Sequence, residues 1–243
     1  METGSVFFKE KVDYSIVVLM ALYITSLLAN LAVGYRYISI GNLIQSGGIF
    51  IFPWSFIISD IVTERYGSIF AKKMVKYGII CQFIFAIYAY SVIHLPAPEI
   101  LLNEKIYYQV FSPYLNFALA SSISIWLGSW VNIVLLSKLS ALVGGKYFAL
   151  RSLLSSTAGE LLVTIVSMLI ANYGKMENNL LIYMICCCFF IKTIISFVAI
   201  WPAAVFLSFL QNDRNKDLLL TIDNIKHPIR FLKNLAWFKK HCF

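Results

Sequence analysis

Apolar residues in this chain gather into six long runs, at roughly 14–33, 38–58, 75–95, 113–136, 150–172 and 180–210. Each is about the length a helix needs to cross the hydrocarbon core of a bilayer, some 20 residues. The second run is the least uniform, because Gly41, Asn42, Gln45, Ser46, Gly47 and Gly48 precede Ile49-Phe50-Ile51-Phe52. The last is long enough to tilt or to extend beyond the membrane. The pattern predicts an all-α polytopic membrane protein of six transmembrane helices, with a transmembrane domain over 1–211 and a basic cytoplasmic tail over 212–243.

Charge placement supplies the orientation. Of the 20 Lys and Arg residues, sixteen fall in segments that a cytoplasmic N-terminus would put inside: Lys9 and Lys11, the Arg65–Lys76 group, Lys138 with Lys146 and Arg151, and seven in the tail. Only Arg36, Lys105 and Lys175 fall outside, and Lys192 lies within a span. This asymmetry predicts both ends in the cytoplasm. The net charge of +8 then reflects topology and implies no nucleic-acid partner. Lys226, Arg230, Lys233, Lys239 and Lys240 alternate with Ile222, Ile225, Phe231, Leu232, Leu235, Trp237 and Phe238. A helix lying on the anionic cytoplasmic leaflet fits that spacing, with a disordered tail as the alternative.

Composition agrees: 60% of the 243 residues are hydrophobic and 13% charged, too little charge for the surface of a soluble domain. The five cysteines give neither a disulfide framework nor a metal-ligand spacing, and no cofactor is implied; Cys81 and Cys186-Cys187-Cys188 sit inside spans. The first run has full span length without a cleavage region, so it is expected to persist as a helix. Gly144-Gly145-Lys146 lacks the first glycine and the strand of a phosphate-binding loop. His94, His227 and His241 lie in loops or the tail, and no HExxH is present, so no catalytic role is expected.

A few polar groups remain at membrane depth. Asp60 and Glu64 are spaced i,i+4 and share a helix face, bordered by Thr63 and Gly67. Pro53, seven residues earlier, is expected within the span, where it would kink the helix. The two acids need a neutralising base, from Arg65, Lys72 or Arg151, or one of them stays protonated. They either anchor a cytoplasmic loop or serve a solute. In the fifth run, Arg151, Ser155 and Gly159 form one stripe, and Ser152, Ser156 and Glu160 its neighbour. Small residues let helices pack closely, but Glu160 near mid-bilayer needs a partner or a purpose. Lys192 lies at a compatible depth, so the alternatives are a Glu160–Lys192 ion pair and a solute or proton site. Asn30, Gln82, Trp126 and Asn132 are weaker marks. Gly128-Ser129-Trp130-Val131-Asn132 and, 31 residues later, Gly159-Glu160-Leu161-Leu162-Val163-Thr164 form a faint repeat.

At these residues the chain resembles the queuosine precursor transporter family, six-span bacterial proteins also described as VUT-type vitamin-uptake-like transporters. Phe52-Pro53 and Ser59-Asp60-Ile61-Val62-Thr63-Glu64-Arg65-Tyr66-Gly67 carry the resemblance, joined by Leu28-Ala29-Asn30, Leu150-Arg151-Ser152 and Ser156-Thr157. It extends over about residues 15–210. Two positions depart: Asn132 and Val163 stand where the family commonly has carboxylates, while Glu160 is an added one. The resemblance implies a bacterial inner-membrane importer of 7-cyano- or 7-aminomethyl-7-deazaguanine for tRNA modification. Alternatives are an importer or substrate-capturing subunit for another vitamin or nucleobase, and a purely structural membrane protein. A deazapurine wants flat apolar walls with a few polar groups at its edge. The implied substrate contacts are Asp60, Glu64 and Glu160, supported by Asn132, Ser156 and Arg151, with Tyr66 and Trp126 as stacking partners. The bilayer and the small heterocycle are the expected partners.

Overall fold

The computed structural model describes residues 14–34, 36–41, 43–96, 104–172 and 177–226. Its elements run α1 (Tyr14–Gly34), β1 (Tyr37–Ile40), β2 (Leu43–Ser46), a 3-10 turn (Gly47–Phe50), α2 (Phe52–Tyr66), α3 (Ser68–Val92), α4 (Glu104–Phe111), α5 (Tyr114–Leu142), α6 (Phe148–Asn172) and α7 (Asn178–Lys226). Six segments are long and apolar enough to cross a bilayer: Tyr14–Gly34, Gly47–Tyr66, Ser68–Val92, Ile106–Leu142, Phe148–Asn172 and Asn178–Gln211. The six-span, all-α expectation therefore holds.

The second span departs from its expected bounds. Residues read as the first half of a helix form an antiparallel hairpin, with Tyr37 opposite Ser46 and Ile40 opposite Leu43. Gly41, at φ 62°, closes its turn in the left-handed region where glycine carries no steric cost. Ile38, Ile40 and Ile44 there are β-branched and interrupted by polar residues, so periodicity could not separate strand from helix. Helix α2 consequently starts only at Phe52. Pro53 sits in its first turn, where a missing N–H costs nothing, so it starts the helix instead of kinking it. The span ends at Tyr66, beyond the expected 58, which brings Asp60 and Glu64 inside it.

Gly67 alone joins α2 to α3, with φ 91°, a backbone that side-chain-bearing residues rarely adopt. The basic residues Lys72, Lys73 and Lys76 consequently stand in the first turns of α3. Between α5 and α6, Gly144, Gly145 and Tyr147 all have positive φ and reverse the chain in a tight turn.

The tightest crossing joins α5 and α6. A methyl group on Gly159 would lie 2.8 Å from the Gly128 carbonyl oxygen and 2.6 Å from Phe56. Neither glycine can gain a side chain without moving backbone, so the small-residue stripe is a packing device. These two glycines are the 31-residue repeat positions, and they meet at the crossing. Around the bundle the polarity is inverted relative to a soluble protein. Trp126, Trp130, Phe190, Ile84 and Ile182 are exposed, whereas Asp60, Gln82, Asn132, Glu160 and many serines are buried. An apolar perimeter suits contact with lipid.

Compact packing divides the chain within α7, into Met1–Trp201 and Pro202–Phe243. Of the second unit, Pro202 and the helix running on to Lys226 are described. The remainder of the tail expected to lie on the membrane surface, 227–243, is outside the described residues.

Candidate functional site

Two polar constellations lie inside the bundle. The first is a knot that ties α2 to α5 and α6. Asp60 is fully buried. Its Oδ1 accepts a hydrogen bond from Asn132 Nδ2 at 2.6 Å. Its Oδ2 accepts from Ser156 Oγ at 2.6 Å and also from Ser152 Oγ. Three donors on two other helices thus surround one carboxylate, which is how a buried acid is made tolerable.

One turn further along α2, Glu64 faces Arg151 of α6. The guanidinium grips both carboxylate oxygens, Nη1 to Oε2 at 2.9 Å and Nη2 to Oε1 at 2.8 Å. Arg151 also donates to the carbonyls of Lys146 at 2.7 Å and Gly145 at 2.9 Å, so it clamps the α5–α6 turn as well. Of the three bases considered for neutralising the acids, Arg151 is the one that pairs with Glu64. Arg65 instead donates to the Tyr66 hydroxyl at 3.0 Å.

Glu160 and Lys192 stand deeper, near the middles of their spans. No ion pair joins them among the described residues, which corrects that alternative. Glu160 Oε1 accepts from Ser196 Oγ of α7 at 2.7 Å, and its Oε2 is buried without a hydrogen-bond partner. Lys192 Nζ turns away to Thr164 Oγ1 at 3.2 Å and lies 4.6 Å from the centre of the Phe52 ring. The two side chains therefore hydrogen-bond to different partners, Ser196 and Thr164.

Lys192 belongs to the second constellation, a pocket between the helices with an open mouth. Asn30 of α1, Tyr37 of the hairpin, Phe52 of α2, Ser121 of α5, Asn172 of α6 and Lys192 of α7 all contribute to its lining. The Tyr37 hydroxyl donates to Asn172 Oδ1 at 2.9 Å, tying the hairpin to the end of α6. The hairpin is therefore part of the pocket wall, and it exists because the glycine- and polar-rich stretch does not continue the helix.

None of the eight residues singled out from the sequence lines this pocket. Asp60, Asn132, Ser156, Glu64 and Arg151 form the knot, and Glu160 stands beside it. Trp126 is 59% exposed on the lipid-facing perimeter, and Tyr66 packs 6.2 Å from Phe70. The pocket's own Tyr37, Phe117, Ser121 and Asn172 carried no sequence mark, because each resembles an ordinary span or loop residue, and Phe52 was marked only by the family resemblance. Lys192 did carry one. A cation at mid-span is expensive without a function, and that signal, with the weaker mark at Asn30, pointed here.

A bundle of six spans with a polar pocket inside an apolar perimeter defines a multi-pass membrane protein of the solute-transporter class. Residues 46–206 match the family Vut_1, described as Putative vitamin uptake transporter, and the chain belongs to that family. The match covers the second span through most of the sixth, and with it both constellations apart from the α1 and early hairpin residues. No curated protein and no solved structure matches the chain.

Proposed function

We propose that this protein imports a queuosine precursor, 7-cyano- or 7-aminomethyl-7-deazaguanine, across a bacterial inner membrane for tRNA modification. The observation that carries an import role is the pocket: polar groups from four helices and the hairpin converge in a bundle whose outer surface is apolar. Phe52 and Phe117 supply flat apolar walls of the kind a planar heterocycle needs. The Asp60 and Glu64 motif that carries the queuosine resemblance then acts as the tie between α2 and α6 that holds one end of the pocket's helices together. Basic residues concentrated at that end suit a cytoplasmic position, with the hairpin end outward.

The test is metabolic. Cells unable to make the precursor should regain queuosine-modified tRNA when they express this protein and receive either deazaguanine externally. Absence of modified tRNA despite expressed, folded protein would overturn the cargo assignment. A second reading keeps import but changes the cargo to another vitamin or nucleobase, and Val163 favours it. That residue lies on the pocket wall at a position where the resemblance leads one to expect a carboxylate. Competition among labelled vitamins and nucleobases for uptake separates the two readings.

A further inference from the structure

We infer that Lys192 sets the selectivity of this pocket: it receives the acceptor edge of a small planar solute, neutral or anionic, and rejects a cationic one. The inference rests on the import reading above but not on the identity of the cargo.

Lys192 is 7% exposed, with its nitrogen near mid-span. An amine of this kind offers three N–H donors. Thr164 Oγ1 takes one, and the face of Phe52 covers another side without accepting a hydrogen bond of ordinary strength. No acid within ion-pair distance answers the charge among the described residues. Among the described residues, none that lines the pocket is acidic either. Glu160, the nearest acid along α6, lies close enough to feel the Lys192 charge but beyond ion-pair distance, with its Oε1 taken by Ser196. A buried cation of this kind is stabilised by whatever acceptor reaches it, and the pocket is the open approach.

The remaining lining fits such a guest. Phe52 and Phe117 are flat and apolar, and Asn30, Ser121 and Ser124 can each accept or donate at a ring edge. A carbonyl or carboxylate on the ring would point at Lys192, and its amino edge would face the amide and hydroxyls. A solute that carries an ammonium group finds no acid in this lining, and repulsion from Lys192 should weaken it by roughly 10- to 100-fold. Of the two deazaguanines, the pocket therefore selects the neutral cyano form.

Three probes decide the matter, titrated by calorimetry into the purified full-length protein in detergent: 7-cyano-7-deazaguanine, 7-aminomethyl-7-deazaguanine, and nicotinate as a planar carboxylate. The cyano form or nicotinate should bind, and the aminomethyl form at least about tenfold more weakly than the cyano form. Lys192→Met should weaken the acceptor-bearing probe by roughly 10- to 100-fold, whereas Lys192→Arg should retain part of the binding. Should Lys192→Met fail to give monodisperse protein, Ser121→Leu narrows the pocket without touching the charge and should weaken every probe. Aminomethyl binding as tight as cyano binding, unchanged affinity in Lys192→Met, or no binding of any probe to monodisperse protein each overturns the inference. Lys192-dependent binding of nicotinate alone sustains it while removing the queuosine cargo. Queuosine rescue that survives Lys192→Met undiminished does the reverse.

Discussion

Arg151→Met tests how the knot is held. The substitution keeps most of the side chain's length and apolar stem but removes the guanidinium, and with it four hydrogen bonds: two to Glu64 and one each to the carbonyls of Lys146 and Gly145. Arg151 is 3% and Glu64 12% exposed, so the carboxylate left behind cannot recover its partner's stabilisation from water. Breaking one side of a buried ion pair typically costs about 3–5 kcal/mol, against about 0–1 kcal/mol for an exposed pair. At roughly 2–4 °C per kcal/mol for a chain of this size, the expected loss is about 6–20 °C in thermal unfolding of the detergent-solubilised protein. Glu64→Gln keeps two acceptor or donor groups at the fork and should cost about 1.5–3 kcal/mol, as for loss of a charged hydrogen bond. The double variant Glu64→Gln/Arg151→Met should cost less than the two single losses combined, because each already removes the same pair. Proteolysis at the α5–α6 turn should accelerate in Arg151→Met but far less in Glu64→Gln, since only the former releases the two turn carbonyls. A loss below about 1 kcal/mol in Arg151→Met, with additive singles, would show the pair to be solvated and the clamp argument wrong.

Further outcomes follow from the same geometry. Asp60→Asn should fold, because Ser152 and Ser156 can rotate to accept where they now donate, at about 1–2 kcal/mol; Asp60→Ala strands three donors and should cost at least about 3 kcal/mol in the same unfolding assay. Equal stability of the two would mean the three bonds do not hold the helices together. Gly159→Ala should cost about 1–3 kcal/mol or reduce yield, since its methyl group would stand 2.8 Å from the Gly128 carbonyl, and Ala158→Gly, beside it but outside that crossing, should cost no more than its helix propensity, about 1 kcal/mol. Comparable melting temperatures for both variants would show that the α5–α6 backbones can separate freely.

What the sequence determined by itself was the class of structure and the list of polar groups that have to be accommodated inside it. Run length and the one-sided distribution of Lys and Arg are local, additive properties, so six spans could be counted without knowing any contact. The spacing of Asp60 to Glu64 put both on one face of α2 for the same reason, since i,i+4 neighbours follow from helix geometry alone. Local rules failed where two periods compete: the stretch from Tyr37 to Ser46 is apolar enough for a span, yet it pairs with itself as a hairpin. Moving the start of α2 to Phe52 then carried the acids into the membrane and made Pro53 a helix start.

Partnerships belonged to the tertiary structure. Asp60 meets Asn132 and Ser156 across 72 and 96 residues of chain, and no spacing rule reaches that far. Glu160 and Lys192 looked like natural partners by depth and charge. Depth fixes only the height of a residue along its helix, and the rotation of α6 and α7 sent one to Ser196 and the other to Thr164. The pocket is the clearest case. Its walls come from α1, the hairpin, the 3-10 turn, α2, α5, α6 and α7, and most of its residues are unremarkable in any one of them, so it exists only once the α5–α6 crossing and the hairpin have set the space between them. The sequence placed a lone lysine at mid-span, and the packing decided that it lines a cavity with no acid in its wall among the described residues.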